Sequence, residues 1–172
     1  MTRQVTEAMG PLIAPHLEEG ERLLDIGDAI PARDLHDRAS SGHLTGRLGA
    51  AAWIGSKLGI KMLTHDAVEG DPESIAAGFP HGYPQNVVRT LVVTDRWVRF
   101  AVTDPGRTRF EVHWRAPRSS VVRVEHQRSR IKVVDYRIHF ADGSSVKVMA
   151  HDRNTIDSLA AAIATQPIPP QG

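Results

Sequence analysis

The sequence has no cysteine, few aromatic residues and no long apolar run, and each absence excludes a class of protein. None of the 172 residues is cysteine, which excludes disulfides, thiolate catalysis and Cys-ligated zinc. Only four Phe, three Trp and two Tyr are present, which leaves few platforms for stacking bases and makes nucleic acid an unfavoured partner. The first fifteen residues lack the apolar run of a secretory leader. We therefore expect a cytoplasmic protein.

The length of the chain fits one domain built around one core. We predict that this domain spans residues 1–165. The remaining residues, 166–172, read "QPIPPQG" and are expected to be a disordered tail, because their three prolines offer no regular pattern of donors.

The net charge of +1 conceals an uneven distribution along the chain. Residues 1–86 hold seven Lys/Arg against twelve Asp/Glu, whereas residues 87–137 hold twelve Lys/Arg against five. A basic segment attracts nucleic acid, anionic lipid or an acidic protein surface, and it also occurs as a solvated sheet surface. The charge alone does not choose among these interpretations.

Residues 87–150 alternate β-branched or aromatic residues with charged ones, which predicts antiparallel strands with one apolar and one solvated face. Phe110, Val112 and Trp114 are predicted to share an apolar face, and Arg137 is predicted to lie on a solvated one. The predicted strands are 87–94, 97–103, 109–116, 120–127, 133–140 and 145–150, with a seventh at 21–30.

The apolar residues change to helical spacing after the last strand. Ile156, Leu159, Ala160 and Ile163 recur at this spacing behind a capping Asn154. A lone helix with one apolar stripe needs an apolar surface to cover, so we expect it to plug the open end of a bent sheet. The predicted fold class is therefore mainly β (α+β).

Four motifs together resemble those of bacterial pleckstrin-homology-like (PH-like) domains, a group close to GRAM-type domains. They are "LEEGERLL" at 17–24, "LVVTDRWVRF" at 91–100, W-x-x-P-x-S-x-V-x-x-V at 114–124 and "IHFADGSSVKV" at 138–148. The resemblance implies a seven-stranded antiparallel bent sheet or barrel capped by the C-terminal helix. It also implies binding of lipids, peptides or further copies of the chain, and it assigns no functional residue.

The main departure from this pattern is an insertion, residues 33–86, between the first two predicted strands. It replaces a loop that binds phosphoinositide headgroups in eukaryotic relatives, so the resemblance gives no support for such binding. The second part of the insertion, residues 64–86, is polar and contains three prolines and four acidic residues. We expect a mobile acidic loop there, able to shield the basic segment.

The first part of the insertion contains the glycine-rich stretch "HLTGRLGAAAWIGSKLGIKML". A phosphate-binding loop is excluded, because five residues separate Gly49 from Gly55 and because Ser56 precedes Lys57. Three basic residues inside the stretch disfavour a membrane span. Its leucines and its basic residues lie on different faces of a helical wheel, which predicts an amphipathic helix over about 44–63.

This predicted helix carries the first set of candidate interaction residues. They are Trp53, Gly55, Lys57, Leu58, Gly59 and Lys61. The glycines allow another backbone to approach closely, which favours packing on the chain's own sheet or on a second subunit. The tryptophan and the lysines instead suit a helix that lies on an anionic membrane surface.

Basic residues of the predicted sheet form a second set, because convergent guanidinium groups bind phosphate and carboxylate groups. The anion-binding candidates are Arg115, Arg123, Arg128, Arg130, Lys132 and Arg137. The nine histidines show no metal-ligand spacing, and Ser119-Ser120 lacks a nucleophile motif. We therefore predict no metal, no cofactor and no catalytic residue.

Three functions are consistent with these patterns. The first is a non-catalytic binding or assembly module that acts through protein–protein contacts or through self-association into a homo-oligomer. The second is peripheral binding to an anionic membrane surface through the amphipathic helix and the basic hairpin loop. The third is an enzyme of unidentified class, which needs a pocket with coupled titratable groups that the sequence does not reveal.

Overall fold

The computed structural model describes residues 9–32, 34, 67–84, 87–104, 106, 108–127, 134–150 and 153–165. The glycine-rich helix predicted at 44–63 and the tail predicted at 166–172 lie outside these residues. The described strands are β1 Leu23–Asp28, β2 Ile30–Pro31, β3 Val68–Glu69, β4 Val88–Thr94, β5 Trp97–Thr103, β6 Phe110–Pro117, β7 Val121–Gln127, β8 Val134–Phe140 and β9 Ser145–Ala150. The C-terminal helix is Arg153–Ala164, residues 9–13 are helical, and 3-10 turns lie at Ala14–His16 and Arg118–Ser120.

The strands form two antiparallel sheets. The first sheet has the order β1-β4-β5-β6, and the second has the order β2-β9-β8-β7 with β3 also paired to β9. Only Ala29 separates β1 from β2, so the chain passes directly from the first sheet into the second. The prediction of a mainly β fold with a C-terminal helix is confirmed, and the six strands predicted within 87–150 lie within one residue of their predicted bounds.

One apolar core lies between the two sheets. Its fully buried members include Leu91, Phe100, Tyr136, Ile138 and Val148. The C-terminal helix adds Ile156 and Leu159, which are 1% and 0% exposed. Gly27 on β1 allows this close docking, because a Cβ there would lie 2.7 Å from Cδ1 of Leu159.

Some residues of the segment 67–84 belong to the core, which the prediction of an acidic loop did not include, while its acidic residues Glu69, Asp71 and Glu73 are exposed. Phe79 is 2% exposed, and its ring centroid lies 5.0 Å from that of Trp114 and 5.1 Å from that of Phe100. The amide of Ile75 donates to Asp142 Oδ2 at 2.7 Å, which ties the segment to the β8–β9 hairpin. The segment packs on the core because burying a few apolar side chains, among them Phe79, is favourable even though the segment also contains exposed acidic residues.

The first sheet is covered on both faces, which corrects the prediction of one apolar and one solvated face. Met9 and Ile13 from the N-terminal segment, residues 9–22, pack on the face opposite the main core, against Ile26, Val92 and Phe110. This second apolar layer explains why β4 is buried on both faces, with Leu91 and Val93 in the main core and Val92 in the outer layer.

A β-bulge at His113 divides the aromatic residues of β6 between the two layers. Phe100 pairs with Trp114 while the next residue, Ala101, pairs with Val112, so one residue of β6 is left over. Trp114 therefore packs in the main core, whereas Phe110 and Val112 pack in the outer layer. The prediction that these three residues share a face is wrong, because an extra residue reverses the alternation.

A buried ion pair ties the N-terminal segment to the first sheet. Arg99 Nη2 on β5 donates to Glu21 Oε2 at 2.7 Å, and the Thr94 hydroxyl donates to the same carboxylate. Burial by itself raises the pKa of Glu21, but hydrogen bonds from Arg99, the Glu18 amide and Thr94, together with the Arg99 charge, outweigh it and lower the pKa from 4.5 to about 2.

The position of Phe79 leads to a test of the core. Phe79→Ala is expected to lower the free energy of unfolding by about 3–5 kcal/mol, because it leaves a cavity beside Trp114. Urea denaturation monitored by circular dichroism measures the change. Glu73→Ala, which alters an exposed residue of the same segment, is the matched control and should stay within about 0.5 kcal/mol of wild type. Equal effects of the two substitutions would contradict the assignment of Phe79 to the core.

The Glu21 carboxylate leads to a pH-dependence test. Its pKa is lower in the folded chain than the ordinary 4.5, so its stabilising contribution is complete above pH 4.5 and is lost as the pH falls towards 2. Glu21→Gln should remove the loss of stability between pH 4.5 and 2. It should also lower the free energy of unfolding by roughly 3 kcal/mol at pH 7. Unfolding measured from pH 2 to 7 provides the comparison. A profile unchanged from wild type, or one altered equally by Glu19→Gln, would argue against the pair.

Candidate functional site

Most of the predicted site residues lie outside the described part of the chain. This holds for the whole helix set, Trp53, Gly55, Lys57, Leu58, Gly59 and Lys61, and for the basic hairpin residues Arg128, Arg130 and Lys132. The structure places the other three anion-binding candidates, Arg115, Arg123 and Arg137, and these can be compared with the prediction.

Arg115 lies on β6 in the first sheet. Its Nη1 donates to Glu18 Oε1 at 3.2 Å, and its guanidinium carbon lies 4.5 Å from the ring centroid of Trp97. The side chain is 55% exposed. Arg115 thus links the sheet to the N-terminal segment at the surface, where an exposed pair of this kind stabilises the fold little.

Arg123 and Arg137 lie on the second sheet, on the face opposite the core. Arg123 faces Glu125 with nitrogen and oxygen 3.2 Å apart and is 63% exposed. Arg137 is only 11% exposed, and it contacts Glu69 of β3 at 2.6 Å. The prediction of a solvated Arg137 is wrong, because Glu69 and Ser145 bind its guanidinium group.

The basic candidates that the structure describes therefore do not converge. One lies on the first sheet and two on the second, and each has a carboxylate partner. A group of guanidinium groups can bind an added phosphate only where their charges are not already neutralised. The described part of the predicted anion site does not have this geometry.

Sequence reasoning missed Arg118, whose guanidinium group donates to the carbonyl oxygens of four residues. Arg118 is 6% exposed and lies in the turn between β6 and β7. Its Nη1 donates to the carbonyl oxygens of Ala162 and Ile163, each at 3.2 Å, and to that of Thr165. These carbonyls belong to the last turn of the C-terminal helix, which has no amide donors of its own to satisfy them. Arg118 is therefore the C-terminal cap of that helix.

A groove of about 690 Å³ lies where the capped helix end meets the start of β7. Its lining includes Arg96, Arg118, Val121, Val122, Ile163 and Thr165. Val122 is 65% exposed, and among the described residues no other large apolar side chain is exposed. The pairing of β7 with β8 is irregular between Val121 and Arg123, which leaves Val122 in a bulge.

The strand beside this groove is the edge of the second sheet. β8 pairs with one side of β7, and no other strand of the described chain pairs with its second side. At the far end of β7, His126 Nε2 lies 2.8 Å from Asp157 Oδ1 of the C-terminal helix, which holds the helix along the strand. The helix and β7 are thus joined at one end and leave a groove at the other.

The described residues near the groove do not form a catalytic arrangement. The Ser120 hydroxyl donates to the Pro117 carbonyl oxygen at 2.6 Å and serves the turn. Within the described ranges, no three His, Asp or Glu side chains are placed to hold a metal ion.

A second groove, of about 480 Å³, lies on the first sheet. Its lining includes the paired residues Glu18 and Arg115 and the histidines His16 and His113.

One buried carboxylate lies between β1 and the C-terminal helix. Asp25 is 4% exposed, and its Oδ2 has no hydrogen-bond donor among the described residues. Burial raises the pKa of Asp25, and a hydrogen bond with Ser158 of the helix opposes this effect only in part. The group lies under the helix rather than in either groove, so we assign it to helix docking.

Comparison with known proteins does not identify the chain. No protein-family model matches the sequence, and a search of curated proteins finds no match. In the part of the chain that the structure describes, no helix is long and apolar enough to cross a bilayer.

The cap provided by Arg118 leads to a local stability test. Arg118→Met keeps much of the side-chain volume but leaves the carbonyls of the last helical turn without a donor. We expect a loss of about 1–3 kcal/mol in unfolding free energy and faster amide exchange at the end of the helix, residues 159–165. Hydrogen exchange measured by mass spectrometry follows that segment. The control is Arg109→Met, which alters a 79% exposed arginine and should change neither the unfolding free energy nor the exchange rate. Amide exchange that stays slow at residues 159–165 in the Arg118 variant would rule out the cap.

Proposed function

We propose that the chain is a non-catalytic, PH-like binding module that acts through protein–protein contacts at the edge of β7. The PH-like assignment is supported by the order of the strands, by the direct passage of the chain from one sheet to the other at Ala29, and by the helix that follows the last strand. The sequence motifs at 91–100 and 114–124 fall on β4, β5, β6 and β7, as the resemblance implies.

The observation that carries the proposed function is the edge of β7, with which no second described strand pairs, next to an open groove with an exposed valine. A free strand edge presents unpaired N–H and C=O groups, and folded proteins commonly block such edges. A groove beside it can accept side chains of an extended segment that adds to the sheet. Val122 supplies an apolar contact at this position, 65% exposed in the isolated chain.

Binding to an anionic membrane remains the alternative, and it rests on residues outside the described ranges. The residues that would carry it are Trp53, Lys57, Lys61 and the loop from Arg128 to Lys132. The described arginines do not add to it, because Arg115, Arg123 and Arg137 already face carboxylates. The enzyme hypothesis has no supporting geometry in either groove.

Site-specific photo-crosslinking tests the proposed function. A benzophenone amino acid replaces Val122 in one variant and Ala141, an exposed residue of the β8–β9 hairpin, in a matched control. Both variants are irradiated in living cells, and the adducts are identified by mass spectrometry. We expect discrete protein adducts from position 122, because Val122 borders the groove. The same adducts should be several-fold weaker or absent when the probe is at position 141, which does not line the groove.

Three results would contradict this proposal. The first is the absence of protein adducts at position 122, and the second is the same set of adducts at both positions. The third is a yield of lipid adducts alone, which would favour the membrane alternative. Co-sedimentation with phosphatidylserine vesicles gives an independent measure of that alternative, because binding through the basic helix should weaken when Lys57 and Lys61 are changed to Glu.

A further inference from the structure

The two sheets differ in how their outer edges are protected. β6, at the edge of the first sheet, contains the bulge at His113 and ends at Pro117, which has no amide hydrogen to donate. β7, at the edge of the second sheet, has its irregularity confined to Val122 and is regularly paired to β8 from Arg123 to Gln127. Of these two edges, the regular part of β7 is therefore the better suited to receive another strand.

The sequence of β7 is complementary to itself in the antiparallel direction. Its residues read "VVRVEHQ", with Val124 at the centre. If two copies of β7 pair about a two-fold axis at Val124, Arg123 of each copy lies directly opposite Glu125 of the other. Opposite charges at directly opposed positions stabilise an antiparallel pair, and like charges destabilise it.

We infer that β7 is a self-association surface, at which a second copy of this chain adds its own β7 antiparallel about Val124. This inference rests on the proposed function, since it names the partner of the same surface. The pairing continues the four-stranded path β2-β9-β8-β7 into the second copy and gives a partner to each β7 edge, which no second strand covers among the described residues. It is an isologous contact, so it closes at a dimer and does not propagate.

The charged groups at this edge are exposed and already paired within one chain, and the dimer would extend this pairing across the two-fold axis. Arg123 and Glu125 are 63% and 48% exposed, and they already lie 3.2 Å apart within one chain. His139 Nε2 lies 3.1 Å from Glu125, and His126 faces Asp157 of the helix. In the dimer, the two arginines and two glutamates form one ring of alternating charge on the outer face of the joined sheet.

The exposed valine and the groove favour the same arrangement. In the register about Val124, Val122 of one copy lies opposite His126 of the second copy, so its 65% exposed side chain becomes covered. The groove beside Val121 and Val122 provides space next to the strand at the end where the C-terminal helix and β7 diverge. A contact limited to one strand edge buries little area, so we expect a weak, concentration-dependent dimer rather than an obligate one.

Sedimentation equilibrium of the full chain with charge-exchanged variants tests the inference. Arg123→Glu places glutamates at positions 123 and 125 of both copies, and Glu125→Arg places arginines at both positions. Each single variant should dimerise about tenfold more weakly than wild type, because every opposed pair becomes a pair of like charges. An equimolar mixture of the two variants should associate again, because each charge then faces an opposite charge.

The first sheet supplies a matched control. Arg109 and Glu111 have the same residue types at the same spacing, are 79% and 43% exposed, and lie 2.5 Å apart. Arg109→Glu and Glu111→Arg should leave the dimerisation constant unchanged, alone or mixed. Circular dichroism melting curves verify that each variant is folded.

The inference is overturned if wild type sediments as a monomer at every concentration reached. It is also overturned if a dimer forms that is insensitive to both β7 variants, or if the mixture of folded variants fails to restore association. None of these outcomes decides the proposed function, because crosslinks from position 122 to a different protein would still support it. Crosslinks from position 122 only to a second copy would support both.

Discussion

The rest of the structure depends on one apolar layer between the two sheets. Neither sheet can bury its inner face alone, and the chain passes between the sheets at Ala29 and again at the turn Arg118–Ser120. The remaining core is covered by segments from distant parts of the sequence. The C-terminal helix contributes Ile156 and Leu159, and the insertion contributes Ala76 and Phe79. Because these contacts are long-range, the sheets, the helix and the insertion stabilise one another.

Buried arginines attach the irregular segments to this core. Arg99 holds the N-terminal segment through Glu21, and Arg89 holds Asp34 at 2.8 Å. Arg118 holds the end of the C-terminal helix through carbonyl oxygens alone. A buried guanidinium group needs polar partners, so the contacts of each of these residues fix the local course of the chain. The excess of positive charge in residues 87–137 is therefore partly structural, which reduces the share available for binding anions.

The same packing decides which surfaces are left for a partner. The outer face of the first sheet is covered by Met9 and Ile13, and the outer face of the second carries the buried Arg137, which is paired with the half-exposed Glu69. The edge of β7 is not covered by another described strand, and Val122, Arg123 and Glu125 are exposed there. Function is thus proposed at an edge rather than at a face or in an enclosed pocket.

The sequence by itself determined the strands and the C-terminal helix, because period-two and helical spacing are local properties that each segment carries alone. It also contained the self-complementary run around Val124, although nothing local distinguished that strand as an edge. The tertiary structure alone decided that Phe79 is a core residue, that Trp114 faces away from Phe110, and that Arg137 is buried. Each of these depends on a bulge or on a partner distant in sequence, and the energy of such contacts belongs to the pair rather than to either residue.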